Sequence, residues 1–189
     1  MSVRYFLLFF VFAASPLFAG KSIRFGGGIT AGAIKQPQSG ELNYFGLPAK
    51  VGLSLHLLPK LSVNLDGGIV PDLASPQLGR TDVSAEVQYH VSGGVFRLSQ
   101  ESDFVGIIKS FKNAISLGTQ IRYSQYAVSN DQRTSQKIDG SLLAFGLGGS
   151  FRFSQWELSA YFFPFSVPAS TERVEESSVS ILLRYHWPI

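Results

Sequence analysis

After residue 22 the chain alternates apolar and polar residues with a period of two, the period that puts successive side chains on opposite faces of a β-strand. The pattern is plainest over residues 82–91. Val83, Ala85, Val87, Tyr89 and Val91 take one face, and Asp82, Ser84, Glu86, Gln88 and His90 the other. The same rule predicts strands over 22–34, 45–57, 61–70, 115–126, 141–154, 156–165 and 177–189, which makes eight. In that region no stretch approaches the ~20 consecutive apolar residues of a membrane-spanning helix.

The connections have two lengths. Leu58-Pro59-Lys60 and Ser154-Gln155 are tight turns, whereas residues 35–41, 71–81, 127–140 and 166–176 are polar loops rich in Ser, Gln, Asp, Glu, Gly and Pro. Short and long alternate, the pattern of an antiparallel up-and-down barrel with unlike ends. Both termini and the tight turns then share one end, periplasmic in the usual arrangement. The connection over 92–114 is too long for its place. It carries Phe104, Ile107, Ile108 and Phe111 at helical spacing, with Glu101 and Asp103 before them and Lys109 and Lys112 toward the end. This predicts a short amphipathic helix over about 101–112, lying at the membrane surface or across the barrel mouth. The alternative is an extended strand through residues 95–98 followed by an irregular loop.

Composition then says which face meets water. Of 189 residues 45% are hydrophobic and 15% charged, against roughly 25% charged in an ordinary soluble domain, and mean hydropathy is +0.16. Part of the excess lies at the N-terminus. Arg4, an apolar run over 6–14 and Leu17-Phe18-Ala19 read as an export signal cleaved after Ala19, with a retained anchor as the weaker alternative. The chain therefore divides into a signal, 1–19, and a barrel domain, 20–189. Arg4 is the only charged residue of that signal, so cleavage takes the formal net charge from +3 to +2. The remaining basic residues are scattered singly, which argues against a nucleic-acid partner. With no Cys, neither disulfides nor a thiolate metal site is available.

A soluble barrel buries its apolar face and studs its outside with Lys and Glu. Here the polar face is mostly Ser, Gly, Asn, Gln and Thr, with Lys50 as its only strand lysine, which suits a cramped lumen. Phe25, Tyr89, Phe153, Trp156, Tyr185 and Trp187 fall near the tight-turn ends of strands, where an aromatic girdle sits between lipid and water. The apolar parity thus faces lipid.

In this pattern and length the whole mature chain resembles the small eight-stranded outer-membrane barrels, the OmpA-like, OmpX-like and OmpW-like class. The resemblance implies an all-β transmembrane barrel in the bacterial outer membrane. Its partners would be outer-membrane lipids, lipopolysaccharide and the barrel-assembly machinery, and no cofactor is implied. Such barrels usually end in an aromatic residue; this chain departs from that ending with Trp187-Pro188-Ile189.

The inward parity carries Arg24, Lys50, Asp66, Glu86, Arg122, Arg152, Glu157 and Arg184. Pairing through the Ser154-Gln155 turn sets Arg152 opposite Glu157, and pairing across 71–81 brings Asp66 near Glu86. Two such carboxylates repel unless cations from Arg24, Lys50, Arg122 or Arg184 reach them. Paired carboxylates can do acid-base work, but an eight-stranded lumen is only wide enough to be filled by its own side chains. The eight residues are therefore read as a polar core. His56, His90 and His186 share inward parity near the tight-turn end. A metal or pH-sensing role is outweighed by satisfied polar residues at the rim, since their strands are not neighbours and no carboxylate is placed to orient them. No G-x-S-x-G or H-E-x-x-H occurs, and Gly26-Gly27-Gly28 lies within a strand, so no catalytic, cofactor or metal residues are assigned. The expected function is a monomeric outer-membrane barrel with a structural or surface-binding role through its loops. The alternatives are a narrow passive channel for small or apolar solutes and an outer-membrane lipid-modifying enzyme.

Overall fold

A computed structural model describes residues 20–36, 40–58, 60–73, 79–93, 97–98, 108–110, 113–126, 140–170 and 174–189. The signal assigned to 1–19 lies outside the described residues. Eight antiparallel strands form one closed barrel. They are β1 (Gly20–Gln36), β2 (two consecutive segments, Gly40–Gly46 and Ala49–Leu58), β3 (Leu61–Pro71) and β4 (Gly79–Gly93). They continue as β5 (Ala114–Tyr126), β6 (Gly140–Phe153), β7 (Trp156–Pro168) and β8 (Glu175–Pro188). Each strand pairs with its sequence neighbour, and β1 closes on β8 in an unbroken ladder from Ser22↔Pro188 to Lys35↔Glu175. Closure leaves no sheet edge, the condition for backbone to cross a bilayer as strands.

Alternation sorts the side chains as the period requires. Ile23, Val51, Ile69, Val87, Leu117, Leu147, Phe151 and Leu158 are exposed on the outer wall, Leu147 at 63%, while the opposite parity is buried. At the tight-turn end Phe25, Trp156 and Trp187 surround Tyr185, with ring centroids 5.4, 5.1 and 6.5 Å from it.

Two prolines mark local departures. Pro48 cannot donate to a ladder, and it sits where β2 is interrupted; Gly28 N donates to its carbonyl at 3.2 Å. In β7 the register with β6 shifts between Phe162 and Phe165, a bulge containing Pro164. Phe163 keeps the inward parity of Glu157, Ser159 and Tyr161, and the bulge reverses it beyond that point, so Phe165 points outward. The tight turn at Ser154-Gln155 is present, with Ser154 in the left-handed region at φ 53°.

Three expectations change. The 35–41 loop contracts because Lys35 pairs with Glu41 and β1 runs on to Gln36. The 166–176 loop contracts likewise, since β7 reaches Pro168 and β8 starts at Glu175. Within the helix expected over 101–112, residues 101–107 and 111–112 lie outside the described set, and Ile108–Ser110 form a short strand paired with Arg97–Leu98. There the backbone groups are satisfied by cross-strand pairing instead of by a helical turn. No helix occurs among the described residues.

Candidate functional site

Because the strands cross at a tilt and the lumen is narrow, inward side chains from all eight strands converge on its axis. Among the described residues six cationic side chains are buried, Arg24, Lys50, Arg80, Arg122, Arg152 and Arg184. Six carboxylates are buried with them, Asp66, Asp72, Asp82, Glu86, Glu157 and Glu176. The numbers balance, as charges removed from water must.

The structure places all eight sequence-derived lumen residues inside and divides them between two networks. At the tight-turn end Glu157 is the hub. Arg152 Nη2 donates to its Oε2 at 2.6 Å across the β6–β7 hairpin, where the two residues are register partners. Arg184 Nη1 donates to its Oε1 at 3.1 Å, Gln88 Nε2 at 3.3 Å, and Arg24 Nη1 lies 3.9 Å away. Arg24 then links the two carboxylates of β3 and β4. Its Nε donates to Asp66 Oδ1 at 2.6 Å and its Nη2 to Glu86 Oε2 at 2.8 Å, with a second short bond from Nη2 to Asp66 Oδ2. Arg184 adds contacts of 3.4 Å to Asp66 and 3.7 Å to Glu86. Asp66 and Glu86 are thus bridged by guanidinium groups, although their ladder partners are Ser84 and Asn64. Tyr161 and Gln88 donate to the other oxygen of Glu86.

The second network lies toward the long loops around Glu176. Arg122 Nη2 donates to Glu176 Oε1 at 2.6 Å and Arg80 Nη1 at 2.8 Å, while the hydroxyls of Tyr126 (2.8 Å) and Tyr44 also donate to the carboxylate. Arg80 Nε is 3.1 Å from Asp82, which also receives Ser124 Oγ at 2.8 Å and lies 3.4 Å from Lys50 Nζ. Ile34, Leu142, Val174 and Phe163 form an apolar layer with the tyrosine rings, and the Arg122 guanidinium sits 4.0 Å over the Phe163 ring. Room for these rings comes from glycines across the wall. A Cβ on Gly146 would stand 2.6 Å from Phe163, and one on Gly118 2.4 Å from the Tyr161 hydroxyl. A cleft lined by Tyr44, Asp72, Arg80 and Tyr126 among others holds about 10 Å³, at most one water molecule.

Arg80, Asp82, Asp72 and Glu176 are the members that sequence reasoning did not single out. Asp82 has visible inward parity. Arg80 and Glu176 fall just outside the predicted strand bounds, where the extension of β4 and β8 carries the alternation further.

The three histidines need correction. All are fully buried, not exposed at the rim, because Ser22, Ser62, Ser116 and Arg152 from other strands pack round His90 and His186. A carboxylate is also placed on one of them, since His186 Nε2 lies 3.3 Å from Glu157 Oε2. Among the described residues no group of three or more His, Asp or Glu is placed to hold a metal ion.

No protein-family model and no curated protein matches the chain. Solved structures do. Neisserial surface protein A aligns over 88% of this chain and 98% of its own, at 12% identity and a TM-score of 0.53. Ail, the attachment invasion locus protein of Yersinia pestis, covers 90% and 99% at 11% identity with a TM-score of 0.49. The outer membrane protein OprG from Pseudomonas aeruginosa covers 92% and 98% at 13% identity, with a TM-score of 0.44. At the identity of the first, the likeness is one of fold: the chain has the architecture of a small eight-stranded outer-membrane barrel.

Proposed function

We propose that the protein is an exported, monomeric outer-membrane barrel that works with its lumen closed at neutral pH, as a structural or surface-binding element. The observation that carries this reading is the filled lumen, with balanced buried charges around Glu157 and Glu176 and an apolar layer at Phe163. A water-filled pore needs its charged groups spaced around an open axis, whereas these cross the axis and bond one another. The apolar outer wall and the aromatic cluster around Tyr185 support a lipid-embedded barrel. Neisserial surface protein A, which shares the fold, is by its name a surface protein. Contact with lipopolysaccharide or another surface ligand would fall to the connections at the loop end.

The test is electrical. Purified protein reconstituted in planar bilayers at pH 7.5 should give no reproducible single-channel steps. Uniform steps that vanish when the lumen is plugged would replace this reading with the passive channel.

A further inference from the structure

A small space remains toward the long loops. The cleft of about 10 Å³ lies where β3 ends, β4 begins and β5 ends, with Asp72, Arg80 and Tyr126 in its wall beside Tyr44 of β2. Two of its wall positions carry no side chain. A Cβ on Gly46 would stand 2.6 Å from Val70, and one on Gly79 would meet nothing within 4 Å among the described residues. The first glycine makes the room, and the second leaves it continuous with open space. Arg80 is only 4% exposed, so its nitrogens need partners other than bulk water. Nη1 donates to the hydroxyls of Tyr44 at 2.7 Å and Tyr126 at 3.3 Å and to Glu176 at 2.8 Å, and Nε lies 3.1 Å from Asp82. Nη2 has no hydrogen-bond partner among the described residues. Both tyrosine hydroxyls direct their protons to Glu176, so the donor left for the cleft belongs to Arg80.

The wall thus joins a cationic donor to a carboxylate acceptor, Asp72. A bare anion would satisfy Nη2 but would sit in one cleft with Asp72, while Asp82 and Glu176 already flank the same guanidinium. Like charges that close repel strongly in a buried site. A cation would face Arg80. A hydroxyl accepts with its oxygen, donates with its proton and carries no charge, and it fits a space of one water. Ile34, Val70 and the Tyr44 side chain complete the wall with apolar surface, which suits the C–H face of a sugar ring. We propose that the cleft receives one hydroxyl of a neutral saccharide, which accepts from Arg80 Nη2 and donates to Asp72 while the ring lies in the open space at Gly79. Such a site deepens the surface-binding reading, on which it rests, by giving the ligand a chemical class: a glycan displayed by this cell surface or another.

The test follows the Arg80 guanidinium by NMR. Protein isotopically labelled in arginine and glycine, folded in micelles of lauryldimethylamine oxide, which carries no sugar, is titrated with the methyl glycosides of glucose, galactose and mannose. At least one should shift the Arg80 Nε–H signal and the Gly79 amide together, saturating in the millimolar range that a single anchored ring allows. The fully O-methylated form of that glycoside, which accepts but cannot donate, should shift neither. Asp72→Ala should raise the half-saturation concentration about tenfold, as loss of one hydrogen bond to a charged group does. Arg80→Lys keeps a cation for Glu176 but lacks Nη2, and should abolish the Gly79 shift; if it does not fold, Asp72→Ala decides. Lipopolysaccharide added to the micelles separates the sources: a matching shift assigns the site to the membrane's own glycan, and a shift with free glycosides alone assigns it to a glycan of another surface. No shift with any glycoside, an equal shift with the O-methylated form, or tighter binding of inorganic phosphate overturns the site. Each of those outcomes leaves the closed lumen standing, which only channel steps in the bilayer recording overturn.

Discussion

The two ends of the lumen are each organised round one glutamate, and different chemistry completes each. Glu176, near the loops, is held by two arginines and two tyrosines beneath an apolar layer. Glu157, near the tight turns, is held by Arg152 and Arg184 with Gln88 and His186 beside it, and no aromatic layer covers it among the described residues. The loop-end hub has alternative support, because Arg80 also reaches Asp82 and the phenols are neutral. At the tight-turn hub Glu157 carries Arg152, Arg184 and His186 together. A buried cation keeps its place only while its counter-charge stays, so the two hubs should fail differently.

The largest expected difference comes from removing each hub charge in turn. Glu157→Gln should cost about 3–5 kcal/mol, the usual penalty for stripping one partner from a buried pair. Glu176→Gln should cost visibly less, since Asp82 and the tyrosine hydroxyls remain. Urea-unfolding midpoints in detergent micelles, followed by heat-modifiable gel mobility, measure both, and equal losses would erase the distinction. Next comes the apolar layer. Phe163→Ala should cost about 3 kcal/mol through the cavity it leaves and should raise amide exchange in β7 and β8 near the loops but not near Glu157; uniform exchange would show that the lumen behaves as one unit. Tyr126→Phe removes one donor from Glu176 while keeping the ring, so a loss of about 1 kcal/mol is expected. If that variant is as damaging as Glu176→Gln, the phenols carry more of the hub than its arginines. The smallest effect belongs to Lys35–Glu41, an exposed pair 3.5 Å apart on the outer hairpin. Lys35→Gln should change stability by less than about 0.5 kcal/mol and lose even that in high salt, whereas the buried hubs should respond little to salt.

Much of this architecture is legible residue by residue. The alternation over 82–91 reappears as the wall of β4, outward Val83 to Val91 against inward Asp82 to His90. Arg152 and Glu157 could be matched on paper because a two-residue turn sets the register of the hairpin it closes. The full burial of the histidines was harder to read, since it depends on side chains brought against them from other strands. The outward direction of Phe165 was not readable, because a bulge at Pro164 changes parity within one apolar run. The segment at Ile108–Ser110 shows the opposite hazard, helical spacing in a stretch whose described residues pair as strand.

What the sequence determined by itself is therefore what depends on neighbours along the chain: the strand spans, the face each residue takes, and the surplus of apolar residues on an outer wall. Only the tertiary structure decided which charges meet. Glu176 bonds to Arg80 across 96 residues of chain and to Tyr44 across 132, and Arg24 joins Asp66 to Glu86 from a third strand. Those contacts follow from the tilt and closure that bring every inward side chain to one narrow axis, a condition no local pattern records.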